Sequence, residues 1–253
     1  MDLREFVDRL DEELKTDAYA EIDASANGLQ VGPDHATVDR VSVSVDAAEA
    51  TIDEAIDRDA DVLVVHHGLS WGGFERVTGR EYRLIERLIR NDVALYVTHL
   101  PLDGHQTLGN AAGVADALGL TECEPFGELG GEHIGQRGRA SPAIELDTVV
   151  DRLAEFEREQ AIQVLDFGPE IVSDIAIVTG SGTDWLGEAI ACGVDVLITG
   201  EGKQQVYHAA REAGISVVLA GHYATETFGV RAIAELTTEW GIESTYVSHP
   251  TGI

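Results

Sequence analysis

Three apolar stretches of this sequence finish in histidine. Asp61-Val62-Leu63-Val64-Val65 runs into His66 and His67, the stretch 93–97 is followed by His99, and the stretch 217–220 by His222. Asp103 stands four residues after His99, and Glu226 four residues after His222. Histidine is the commonest transition-metal ligand, adjacent histidines on a loop can address two neighbouring ions, and a carboxylate can bridge such ions. His66, His67, Asp103, His222 and Glu226 are therefore the expected ligands of two divalent metal ions per subunit. A lone histidine at a strand end usually serves a local hydrogen bond, and Asp103, after Leu100-Pro101-Leu102, has the position of a helix cap. It is the recurrence of the pattern that favours ligation. His99 and His105 are read as catalytic candidates, orienting Asp103 or passing protons. His35, His133, His208 and His249 have no such setting and are read as surface or packing residues.

Two ions sharing a water would lower its pKa toward neutrality and direct it at an electrophile. A purine ring carbon as target would make the reaction a cyclohydrolase type, and phosphorus a phosphoesterase type. The first needs a surface for a base, for which Trp71 and Tyr223 are candidates. The second needs anion donors, for which the glycine turn Thr179-Gly180-Ser181-Gly182-Thr183 is the candidate. Mixed nitrogen and oxygen ligation admits zinc, iron, manganese, cobalt or nickel, and either carboxylate is open as the bridge. The alternative is a metal-stabilised scaffold or regulatory interaction protein that binds the ions without turnover. The patterns GxxxxGK[ST] and GxGxxG are absent.

Those residues need a framework to carry them. Asp2 and Glu5 form a capping-box pattern before Leu3, Phe6, Leu10 and Leu14, which share one helical face. Strands are predicted at 41–45, 61–65, 93–97, 162–167, 175–179, 194–199, 217–220 and near Tyr246, with helices between them at 80–90, 111–118, 147–156, near Ile190, 206–213 and 225–240. Alternation of strand and helix implies parallel sheets with helices on their faces. In such sheets functional groups gather beyond the carboxyl ends of the strands, where the histidines fall. The glycine-rich stretch 124–141 reads as a linker ending in a strand. Glu54-Ala55-Ile56 precedes Asp61-Val62-Leu63 by the same offset that separates Glu188-Ala189-Ile190 from Asp195-Val196-Leu197. At that shift His67 aligns with Glu201, which is read as a supporting residue. The fold class expected is α/β, two similar intertwined three-layer α/β/α domains arising by duplication, spanning 1–124 and 125–253.

The chain has 253 residues with 46 Asp and Glu against 17 Lys and Arg, a formal charge of −29, and only Lys15 and Lys203 as lysines. Such a surface resembles that of proteins from salt-accumulating cytosols, where carboxylates hold water and salt screens their repulsion. No basic stripe is present, which argues against nucleic acid as a partner. No apolar run is long enough for a bilayer, and the polar start Met1-Asp2-Leu3-Arg4-Glu5 lacks a signal-peptide core, so no membrane partner and a cytoplasmic location are expected. Cys123 and Cys192 lack metal or disulfide spacing and are read as one buried and one loop thiol.

Taken together, Asn27-Gly28-Leu29-Gln30-Val31-Gly32, Val65-His66-His67-Gly68, the stretch from His99 through Asp103-Gly104-His105 with Gly109-Asn110, Ile198-Thr199-Gly200-Glu201 and Gly221-His222-Tyr223-Ala224-Thr225-Glu226 resemble the Nif-three-like family, often labelled GTP cyclohydrolase I type 2 homologues. The resemblance covers essentially the whole chain. It implies a duplicated, intertwined fold with a two-metal site between the halves, the same five ligands, a small-molecule substrate, and assembly as a ring-shaped homohexamer. The chain lacks the long middle insertion of some relatives.

Overall fold

The computed structural model describes residues 1–157 and 159–252. In chain order the first elements are α1 (Leu3–Leu14), β1 (Gly28–Val31), β2 (Arg40–Asp46), α2 (Glu49–Asp57), β3 (Val62–His67), α3 (Gly79–Arg90), β4 (Ala94–Val97), α4 (Leu100–Gly104) and α5 (Asn110–Ala117). There follow β5 (Thr121–Leu129), β6 (Glu132–Glu145), α6 (Leu146–Leu153), β7 (Gln163–Leu165), β8 (Ile171–Ile177), α7 (Leu186–Cys192), β9 (Val196–Thr199), α8 (Val206–Ala213), β10 (Ser216–Leu219), α9 (His222–Thr225), α10 (Thr227–Glu239) and β11 (Glu243–Tyr246). The fold is α/β, as expected, with two sheets flanked by helices. Two compact units result: Met1–Leu102 with Gly229–His249, and Asp103–Phe228 with Pro250–Ile253. The chain thus leaves the first unit after β4 and returns to it for most of α10 and for β11.

The first unit holds a five-stranded sheet in the order β1-β4-β3-β2-β11. β2, β3, β4 and β11 run parallel, and β1 closes one edge antiparallel to β4. Side chains alternate across a strand, and a parallel strand covered on both faces is apolar throughout. Accordingly Leu63, Val65, Leu95 and Val97 pack with Ile52, Leu84 and Leu88 of α2 and α3. Val62, Val64 and Tyr96 point the other way and are equally buried. α1 begins at the predicted N-cap, with the Asp2 side chain accepting from the Arg4 N–H. Its Phe6 meets Trp240 of the returning chain edge-on at 6.1 Å.

The second unit holds a six-stranded sheet in the order β5-β6-β8-β9-β10-β7. β8, β9 and β10 are parallel, while β6 and β7 flank them antiparallel and β5 pairs β6 antiparallel at the edge. Val114 of α5, Leu118 just after it, and Val149 and Leu153 of α6 bury Val172, Ile175, Ile177, Val196, Ile198 and Val218. The stretch 124–141 is not a linker. It lies in the long hairpin β5–β6. Its glycines serve the sheet: Gly130 and Gly131 turn the hairpin with φ of 61° and 97°, and a Cβ on Gly135 would overlap the Ile177 carbonyl of β8. Close strand approach explains the composition that reads as a linker. The expectation for the cysteines also needs correction, since Cys123 on β5 and Cys192 at the end of α7 are both exposed.

Candidate metal centre

In the first unit the carboxyl ends of β3 and β4 bring three imidazoles together. A ring nitrogen of each of His66, His67 and His99 lies within 4.8 Å of the others. The ring centroids are 4.6 Å apart for His66 and His67 and 5.0 Å apart for His66 and His99. Each Nδ1 meets an oxygen acceptor. His66, fully buried, donates to the Thr98 carbonyl at 2.9 Å. His67 donates to Asp46 Oδ1 at 2.9 Å, and Asp46 stands opposite it in the β2–β3 pairing. His99 donates to Asp23 Oδ1 at 2.9 Å, while its backbone N–H donates to Asn27 Oδ1 at 2.7 Å. A proton fixed on Nδ1 leaves the lone pair on Nε2, the form in which imidazole binds a cation or accepts a proton.

Asp23 anchors this arrangement. Its side chain is 1% exposed. It accepts from the N–H of Ser25 and of Leu100 as well as from Asn27 Nδ2 and His99. Burial pushes its carboxyl up, but hydrogen bonding and charge attraction from His99, with Asn27 and the Ser25 amide, outweigh that and hold it below the ordinary value. Gly68 follows the histidine pair because the backbone there presses on Gln30 and Val97. A Cβ would sit 2.6 Å from each, and Gln30 Oε1 accepts from the Leu69 N–H at 2.9 Å.

In the second unit two buried carboxylates and an imidazole gather. A carboxylate oxygen of Asp103 and one of Glu226 lie within 4.8 Å of each other. Asp103 Oδ1 accepts from Asn110 Nδ2 at 2.9 Å and from the Thr179 hydroxyl at 3.0 Å. His222 opens α9 beyond β10, and its Nε2 is 3.2 Å from Glu226 Oε1 while its Nδ1 is 3.2 Å from Glu201 Oε1. Burial alone would lower the His222 pKa, but the carboxylates of Glu226 and Glu201 raise it to about 9. The ring is therefore an imidazolium at neutral pH, held between two carboxylates. Gly180, at φ 59°, makes room for this pair, because a Cβ there would overlap Glu226 Oε1 and sit 3.1 Å from His222 Nε2.

The chain matches the family model described as Duf34/NIF3 (NGG1p interacting factor 3) over residues 1–250. The chain belongs to this family. A Halobacterium salinarum relative named GTP cyclohydrolase 1 type 2 homolog is 53% identical across the full length of both chains, and one from Archaeoglobus fulgidus with the same name is 40% identical, again over both full lengths. Among solved structures, TTHA1606 from Thermus thermophilus superposes with a TM-score of 0.90 at 38% identity, each chain fully covered. The family suggested by the HHG and GHYATE motifs is thus the one found.

Within this DUF34/NIF3 chain the predicted residues fall into two sets. His66, His67 and His99 cluster in the first unit, and Asp103, His222 and Glu226 in the second. His105 does something local: its Nδ1 accepts from the Leu108 N–H at 3.0 Å and from the Thr107 N–H at 3.3 Å. Glu201 meets His222, the supporting position that its alignment with His67 suggests. Sequence reasoning does not single out Asp23, Asp46, Asn110 or Thr179 as supports of the site. Asp46 has a readable signal, since it ends a strand parallel to the one bearing His67. Asp23, 76 residues from its partner His99, has none. The glycine turn is not built as an anion cradle, because the Gly180 N–H donates to the Thr225 hydroxyl and the Gly182 N–H to the Thr199 hydroxyl. Of the two aromatic candidates, Tyr223 is buried, while Trp71 is 47% exposed with its ring 5.0 Å from that of His99 and 6.0 Å from that of His67.

Proposed function

We propose that this DUF34/NIF3 protein is a dinuclear metal-dependent hydrolase of a small nucleotide-like or phosphoester substrate. The reading joins the two residue sets into one centre, with His66 and His67 of the first unit and Asp103, His222 and Glu226 of the second as ligands. The observation that carries it is the state of the donors. The three clustered imidazoles have Nδ1 committed to oxygen acceptors, which leaves Nε2 as the basic atom. Two buried carboxylates, Asp103 and Glu226, accompany the His222 imidazole, whose Nε2 lies 3.2 Å from Glu226 Oε1. A mixed nitrogen and oxygen set of this kind suits zinc, iron, manganese, cobalt or nickel. When bound, a pair of such ions supplies Lewis-acid polarisation of the substrate and acidification of water.

The chain's own residues do the rest. Asp46 and Glu201 hold the rings of His67 and His222, Asn110 and Thr179 hold Asp103, and Asp23 holds His99 so that its Nε2 can take a proton from an attacking water. The name carried by the relatives, GTP cyclohydrolase 1 type 2 homolog, favours attack on a ring carbon over attack on phosphorus. So does the internal use of the Gly180 and Gly182 amides. We extend the proposal to a cytoplasmic homohexamer. Exposed Tyr82 and Ile89 on α3 support packing between copies, and sedimentation at six times the chain mass is the check.

Elemental analysis of protein purified without added metal tests the centre. About two ions per subunit are expected, both lost in a His66→Ala, Glu226→Ala double variant. Unchanged metal content in that variant refutes the ligand assignment. Full metal content with no turnover across nucleotides and phosphoesters favours the scaffold reading instead.

A further inference from the structure

A tryptophan left half in water beside a ring of histidines calls for an explanation. Its backbone is pinned on both sides. Trp71 forms an antiparallel bridge with Ser25, the Ala26 N–H donates to the Ser70 carbonyl at 3.2 Å, and the Gly72 N–H donates to the Ala24 carbonyl at 2.7 Å. The strap 23–27 that holds the Trp71 loop is the same segment whose Asp23 and Asn27 fix His99. The indole therefore stands at a set distance from the imidazole cluster, 5.0 Å from His99 with the two rings at 81°. Immediately after it, Gly72 and Gly73 adopt φ of 71° and 97°, and a Cβ on either would meet nothing within 4 Å. The far side of the loop is therefore open rather than packed.

We propose that Trp71 is a stacking platform that selects planar heteroaromatic ligands for this centre. The proposal rests on the hydrolase reading and, of the nucleotide-like and phosphoester substrates that reading admits, keeps those carrying a nucleobase-like ring. An indole offers a large, rigid, polarisable face, and π-stacking on it is available to a heteroaromatic ring but not to a sugar phosphate. The other candidate surface is closed, with Tyr223 buried. The backbone donors at Gly180 and Gly182 that a phosphate would need are spent on threonine hydroxyls. The Trp71 indole, by contrast, faces solvent.

The test is calorimetric titration of the full-length, metal-containing protein with guanosine 5′-monophosphate and adenosine 5′-monophosphate, against ribose 5-phosphate as the ring-free probe. The nucleotides are expected to bind at least about 10-fold more tightly than ribose 5-phosphate. Trp71→Leu should weaken nucleotide binding by about 5- to 150-fold, the range expected of one base–aromatic stack. Trp71→Phe should recover most of the loss, and ribose 5-phosphate binding should not change in either variant. Metal content, measured in parallel, should stay at the wild-type level in both. Equal affinity for ribose 5-phosphate and nucleotides overturns the proposal, as does nucleotide binding unaffected by Trp71→Leu. So does a Trp71→Leu variant that changes oligomer size while keeping nucleotide affinity, which would make Trp71 a subunit contact. Failure of the metal centre itself shows separately, as metal retained in the His66→Ala, Glu226→Ala variant.

Discussion

Asp23 keeps a charged carboxylate out of water by surrounding it with donors from Ser25, Asn27, His99 and Leu100. Asp23→Asn leaves the size unchanged but turns an acceptor into a donor facing those N–H groups. A loss of about 2–4 kcal/mol in urea unfolding is expected, and a cost below about 0.5 kcal/mol would show that the network is not structural. Because the folded Asp23 pKa lies below its unfolded value near 4, its contribution is present above pH 4 and is lost as pH falls through the folded value. The Asn variant should therefore lose less stability than wild type across that acid range. His222 runs in the opposite sense. In the metal-free protein its pKa of about 9 stands above the ordinary 6.5, so the stability it adds is full below pH 6.5 and vanishes as pH rises through 9. The same proton must leave before Nε2 can bind an ion, so metal affinity should climb with pH up to about 9. Glu201→Gln should bring the His222 ring titration, followed by NMR on the metal-free protein, down toward neutrality. A titration unmoved by that change would mean Glu201 contributes nothing to the shift.

At the level of elements, the turn after β8 exists to let β9, β10 and α9 approach. Gly180 accepts from the N–H of Gly200 and Glu201 through its carbonyl, and a Cβ on Gly200 would lie 2.6 Å from both that carbonyl and the His222 Cα. Gly180→Ala places a methyl against Glu226 Oε1 at a positive φ, so a cost of about 1–3 kcal/mol and displacement of Glu226 are expected. Metal content should fall in step, and a Gly180→Ala protein with wild-type stability and metal would refute this account of the turn. The same turn shows what the sequence can and cannot disclose. Its glycines are visible as a strand-to-helix punctuation, but whether the amides face a ligand or a threonine depends on Thr199 and Thr225, residues 17 and 45 positions away from their partners on this turn. Strands such as β3 and β9 were legible because parallel strands buried on both faces are unbroken apolar runs. The histidines at their ends were legible because the carboxyl edge of a parallel sheet is where polar residues break such a run. β1 was not, since Gly28–Val31 is a short edge strand carrying a half-exposed Leu29 and no alternation. The β5–β6 hairpin reads as a linker because Gly135 and Gly138, demanded by close strand packing, carry the same composition as one.

Across the whole molecule the parallel trios β2-β3-β4 and β8-β9-β10 repeat one pattern, and each ends in the residues on which the proposed chemistry depends. Around that framework the chain carries 46 acidic side chains against 17 basic ones. Local pairs such as Arg58 with Glu54 and Lys203 with Asp184 are solvent-exposed and worth little each. The dominant electrostatic term is therefore the mutual repulsion of an excess of 29 negative charges. Unfolding spreads those charges apart, so repulsion destabilises the compact state, and whatever screens it stabilises the fold. Salt does this by shortening the Debye length from about 8 Å at 0.15 M to about 3 Å at 1 M. The urea midpoint of the protein should therefore rise as potassium chloride is raised from about 0.1 M to about 2 M, most steeply below 1 M. Urea is the appropriate denaturant because guanidinium chloride is itself a salt and would screen the charges it is meant to test. Metal content must be held constant, since ions bound at His66, His67, Asp103, His222 and Glu226 would add their own stabilisation. Sulfate and chloride at equal ionic strength separate screening from the general strengthening of apolar burial by strongly hydrated anions. A midpoint that stays flat in chloride and rises only in sulfate would show that the acidic surface does not limit the stability of this fold.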